Sequence, residues 1–105
     1  MGQQFKMLKQ LQQMQAKMAK IQEDLGQKTV TGTAGGGVVE VVVNGHQKVL
    51  SVTLKPEVVD PADVDMLQDL VLAAVNDAMD QARDLASKEM GAMTAGMGLP
   101  PGLMG

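Results

Sequence analysis

The chain has 105 residues, with 9 Lys and Arg against 12 Asp and Glu, no Cys, no Trp or Tyr, and Phe5 as its one aromatic residue. One small domain is the expectation; disulfides and Cys-bound metals are excluded, and no aromatic platform exists on which unpaired bases could stack. The formal charge of -3 hides an asymmetry, because residues 1–55 carry seven Lys against Glu23, Asp24 and Glu40, while residues 56–105 carry Arg83 and Lys88 against nine acids. Attraction to a polyanion therefore has to come from the first half of the chain. No apolar run approaches the roughly 18 residues of a membrane span. The polar stretch Met1–Lys20 lacks a signal-peptide pattern, so a cytoplasmic protein is expected.

Residues 3–26 read as one long helix, rich in the good helix formers Gln, Lys, Leu, Met and Ala. Met7, Leu11, Met14, Met18, Ile21 and Leu25 follow a 4-3 spacing, the seam of a helix that packs on another helix. Gly26 is placed to stop it. The predicted rod is about 36 Å long, and part of it should project from so small a domain.

Thr29–Ala34, Val38–Val43 and Val49–Leu54 read as strands. Gly35-Gly36-Gly37 breaks the first from the second, and Asn44-Gly45 marks a hairpin between the second and third. A four-residue loop, 44–47, would set Val41 opposite Leu50 and Val39 opposite Val52. Glu40, Val49, Ser51 and Thr53 would then face the other way.

Pro56 ends the sheet. Asp60-Pro61-Ala62-Asp63 reads as a helix start with Asp60 as N-cap. The second helix should run to about Met90, with a stripe of Val64, Leu67, Val71, Ala74, Ala78, Ala82 and Leu85. Its small residues would let another element approach closely. Residues 91–105 hold five Gly and two Pro without a period and read as a mobile tail after a single domain, 1–90.

Few residues suggest chemistry. His46 is the only His and has no metal-ligating companion; it reads as a solvated loop residue. Gly35-Gly36-Gly37 is not followed by the Lys and helix of a phosphate loop. Asp60, Asp63, Asp65 and Asp69 lack the Gly and closing Glu of a calcium loop. Ser51 and Ser87 have no base in pattern. No enzyme, metal site, cofactor or small-molecule substrate is expected. The lysines of the first helix are the remaining candidates. With the seam at positions a and d, Lys6, Lys9 and Lys20 fall on the outer face, Gln13 lies between them, and Lys17 flanks the seam. On pattern alone such a stripe reads as a solvated helix face.

Larger pieces carry a resemblance. Thr31-Gly32-Thr33-Ala34-Gly35-Gly36-Gly37-Val38-Val39 with Asn44-Gly45, then Pro56 and Asp63, then Met66–Val71, resemble the core of the YbaB/EbfC family. Ala73–Ala78 is similar to its second-helix signature, and Met97–Gly102 to its Gly/Pro ending. The pieces come in the same order and spacing over essentially the whole chain. The resemblance implies an α+β protomer of helix, small three-stranded antiparallel sheet and helix, joined into a tweezer-shaped homodimer by a shared sheet core with projecting helical arms. It implies duplex DNA as partner and a nucleoid-associated, expression-modulating role. That gives the lysine stripe a function: Lys6, Lys9, Lys17 and Lys20 would contact phosphates, with Gln13, and secondarily Gln10 and Gln12, adding hydrogen bonds. The alternative is a protein–protein scaffold whose lysines only solvate.

Overall fold

The computed structural model describes residues 2–96. Helix α1, Gly2–Gln27, leads into strands β1 (Thr29–Ala34), β2 (Val39–Asn44) and β3 (Val49–Leu54); a single 3-10 turn at Pro56–Val58 precedes helix α2, Val64–Gly96. The strands form one antiparallel sheet in the order β1-β2-β3. The chain is thus α+β, as the residue pattern predicts.

The core is where α2 lies on the sheet. Val39, Val41 and Val43 of β2 are wholly buried, and so are Ala74, Ala78 and Ala82 of α2. Their spacing of four puts the three Ala on one helix stripe, and the strand alternation puts the three Val on one sheet face. Burial of each Val contributes about 1.5–3 kcal/mol. The helix comes unusually near because its contact residues are Ala and because Gly32 of β1 lies beneath it. A Cβ on Gly32 would stand 2.4 Å from both the Ala74 carbonyl oxygen and the Ala78 nitrogen.

Helix α2 also seals one sheet edge. The Thr33 N–H donates to Asp77 Oδ2 at 3.1 Å, and Gln81 Nε2 donates to the Thr31 carbonyl at 2.9 Å. Two outward backbone groups of β1 are thereby engaged by side chains of α2. Among the described residues no such cover reaches β3. All six of its residues are exposed, with Val52 and Leu54 on the face that α2 occupies over β1 and β2.

Four expectations are corrected. The β2–β3 register lies two residues from the predicted one: Val41 opposes Val52 and Val39 opposes Leu54. Asn44 N–H bonds to the Lys48 carbonyl and Gln47 N–H to the Asn44 carbonyl, closing a tight turn with Gln47 at φ 62°. The register then shifts between Val42 and Val43, leaving Leu50 as an extra residue and turning Val49 toward Val43's face, opposite to its predicted side.

The start of α2 is also later. Asp60 Oδ1 accepts from Ala62 N–H, a local turn, and Asp63 Oδ1 accepts from Met66 N–H, so Asp63 is the cap and Val64 the first helical residue. Gly26 does not stop α1, which runs on to Gln27. And α2 continues through Gly91 to Gly96, past the predicted end at Met90, because Ala and Met on both sides of one Gly sustain the helix. The remainder of the predicted tail, 97–105, lies outside the described residues.

Candidate nucleic-acid interface

Helix α1 is about 39 Å long. Only its last turns meet the rest of the protein. Leu25 is its one buried residue, Ile21 is half-buried, and between Gly2 and Lys20 only Met14 is so much as half-buried. The apolar seam is therefore covered at its root alone: Met7 is 64% exposed and Leu11 53%. Phe5 and Leu8 are exposed beside them. The first five turns form an arm, as the length of the helix predicts, and the seam on that arm has no helix against it within the described residues.

Every predicted site residue lies on this arm. Lys6, Lys9, Gln13, Lys17 and Lys20 are all exposed, as are Gln10 and Gln12. From Lys6 to Lys20 the stripe spans about 21 Å. No acid occurs before Glu23. Two ion pairs are found among the described residues, Lys28–Glu89 and Arg83–Asp80, and neither draws on the arm lysines. Four ammonium groups outside any ion pair among the described residues, with Glu23 and Asp24 following only one turn after Lys20, make the arm the most cationic feature of a chain that is acidic as a whole.

The acids of α2 are spent differently. Asp77 takes the Thr33 N–H and a bond from Gln81, while Asp80 holds Arg83. They seal the sheet edge and line the helix, and they repel phosphate. Exposed Lys48 and Lys55 flank β3, two bases that the sequence reading passed over. Their distance in sequence from any helix gave no periodic signal.

His46 is not a plain loop residue. Its ring Nε2 lies 2.6 Å from the Gln22 carbonyl oxygen, which an N–H at that position satisfies. With Asn44 and Gly45 it forms a set of contacts between the hairpin tip and the root of the arm. Behind these contacts is a cleft of about 380 Å³, lined in part by Leu25, His46, Ala82, Ala86 and Met90. No group of three or more His, Cys, Asp or Glu that could hold a metal is present among the described residues.

Comparison with known proteins agrees with this layout. The model of the YbaB/EbfC DNA-binding family matches residues 1–97. The chain belongs to that family. Members similar to it include a nucleoid-associated protein of Desulforamulus reducens, 57% identical over 99 residues and covering 94% of each chain. Another, from Bacillus thuringiensis, is 56% identical over 103 residues, covering 98% of this chain and 94% of its own. A third, from Pelotomaculum thermopropionicum, is 52% identical over 99 residues, with 94% of each covered. The crystal structure of an uncharacterized protein from Helicobacter pylori has the same fold, with a TM-score of 0.74 at 20% identity over 83% of this chain and 91% of that one. The YbaB/EbfC family is a DNA-binding family and not an enzyme class. Among the described residues, no helix is long and apolar enough to cross a membrane.

Proposed function

We infer that the protein is a nucleoid-associated homodimer that grips duplex DNA through the lysines of its two α1 arms, with low sequence specificity, and so organises the nucleoid or modulates gene expression. The observation that carries this reading is the arm itself: four exposed lysines, no acid before Glu23, and no ion pair among the described residues. Family membership and the names of the relatives support it. Lysine contacts phosphate as a point charge, so binding is strong in sum and nearly blind to sequence. Gln13 adds a hydrogen bond to a phosphate or a base edge. The working location is the nucleoid, in the cytoplasm.

The open sheet edge supports dimerisation. One edge is sealed by Asp77 and Gln81; the other, β3, is open and apolar, with Leu50 and Val52 each 49% exposed. An open edge of this kind is a template for pairing, and soluble proteins cover it. A second copy laid against β3 covers both edges at once by a two-fold axis and carries a second arm. The second arm then binds intramolecularly, which multiplies a weak affinity without new contacts. The scaffold reading has one observation on its side, the exposed arm seam at Met7 and Leu11.

Light scattering tests both parts. The protein alone should give twice the 11.1 kDa chain mass at micromolar concentration, and Val52→Asp should return it to the single-chain mass. Adding a duplex at low salt should raise the mass by that of the DNA. A parent of single-chain mass contradicts the dimer, and duplex eluting apart from the protein favours the scaffold.

A further inference from the structure

The direction of the arm is set at one place. Leu25 is sunk into the protein, 3% exposed, and everything N-terminal of Ile21 is free of the core but for the half-buried Met14. A helix that leaves a domain in this way ends with unsatisfied carbonyls in its last turn. Many helices satisfy them with a following Gly in the left-handed region. Here the β2–β3 hairpin does it from a distance of some twenty residues in sequence.

The contacts are specific. Gly45 N–H is shared between the Leu25 carbonyl at 2.8 Å and the Lys28 carbonyl at 3.1 Å. Asn44 Nδ2 points to the Gly26 carbonyl at 3.4 Å. His46 reaches one turn further back to the Gln22 carbonyl. The reach is held by Asn44, whose Oδ1 accepts both the His46 N–H at 2.9 Å and the Lys48 N–H at 3.0 Å. Asn44 is buried, and among the described residues no buried polar side-chain atom lacks a partner.

Glycine is needed at Gly45, and at Gly26 it leaves room for the imidazole. A Cβ on Gly45 would stand 2.5 Å from the Leu25 carbonyl oxygen, and one on Gly26 would stand 3.0 Å from the His46 ring. Gly26 therefore serves as the seat of the imidazole and not as the helix stop. Between the hairpin tip and α2, a cleft lined by His46, Ala82 and Ala86 leaves the root of α1 incompletely packed on α2. Directional hydrogen bonds therefore add to the burial of Leu25 in fixing the angle of the arm.

We propose that Asn44, Gly45 and His46 form a clamp that orients the α1 arm, and that His46 is a positioning residue for the arm's grip on duplex DNA. His46 acts through Gln22 on the lysines N-terminal to it. A loosened arm keeps all its charges but has to be ordered when DNA binds, and that ordering lowers affinity. The second half of the proposal rests on the DNA-binding reading above; the first half does not.

The chain has no Cys, so paired labels can be placed by Gln3→Cys at the arm tip and Glu40→Cys at an exposed position of the central strand. Spin-label distances would be recorded in the full chain, diluted with unlabelled copies so that each pair is within one protomer. The parent should give one narrow distance. His46→Ala, a change at an exposed residue, should broaden it with circular dichroism unchanged, and His46→Gln, whose amide can donate to the same carbonyl, should restore most of it. Asn44→Ala should broaden it further. In parallel, His46→Ala should weaken duplex binding about tenfold while the dependence of log K on log[salt] keeps its slope, because no phosphate contact is lost. A distance distribution in His46→Ala as narrow as the parent's overturns the clamp. Broadening with unchanged affinity in a parent that binds DNA overturns the positioning role. A parent that binds no duplex overturns the positioning role and the DNA reading together, while the distances still decide the clamp.

Discussion

Replacing Gly32 with Val should remove at least about 3 kcal/mol of stability, a large share of the roughly 5–15 kcal/mol that holds a domain of this kind folded. Overpacking usually costs about 1–3 kcal/mol because neighbouring side chains can shift. Here the neighbours are backbone. The first added carbon would fall 2.4 Å from the Ala74 carbonyl oxygen and the Ala78 nitrogen, inside the hydrogen-bonded body of α2. The helix would have to lift from β1, opening the layer in which Val41 and Ala78 are buried and pulling Asp77 and Gln81 off the sheet edge. A urea titration measures the loss. Gly91→Ala is the contrast: nothing lies within 4 Å of an added carbon there, and Ala in a helix interior should raise the midpoint by about 1 kcal/mol in stability. A Gly32→Val midpoint equal to the parent's would mean that α2 does not lie on β1 as described.

The second large effect is on binding. Changing Lys6, Lys9 and Lys20 together to Gln should weaken duplex binding about a hundredfold or more on every sequence alike. All three lie on the exposed outer face of the arm, and none joins an ion pair among the described residues. Their loss therefore leaves no carboxylate unpaired, and Gln keeps the helix propensity of Lys. Circular dichroism and dimer mass should match the parent. Unchanged affinity in a folded triple variant would move the DNA surface elsewhere, with Lys48 and Lys55 as the next bases to change.

The elements of the fold were legible because their signals are local. A 4-3 apolar spacing marks α1, β-branched runs between Gly clusters mark the strands, and an Ala-rich stripe marks the buried face of α2. The exposure of the arm lysines was legible for the same reason, as a stripe without acids before Glu23; their contact with DNA is the proposal. What escaped is long-range. Asn44-Gly45 reads as a two-strand turn, but its side chain and N–H groups are shaped by the end of α1, and the register of β3 follows from that grip with Leu50 as the extra residue. Asp60 and Asp63 are equally good caps in sequence; the local turn at Asp60 decides for Asp63. His46 carried no pattern at all, since its partner is a backbone carbonyl twenty-four residues earlier.

The central claim is that the arm lysines bind the phosphates of duplex DNA. It is tested most directly by fluorescence anisotropy titrations of the unmodified protein on two unrelated duplexes across salt. Three outer-face lysines on each of two arms supply up to about six phosphate contacts, and each lowers the slope of log K against log[salt] by about 0.9. The expected slope is near -5 on both duplexes, a loss of about a thousandfold in affinity between 50 and 200 mM salt. No binding at the lower salt, or binding with a slope near zero, would contradict it.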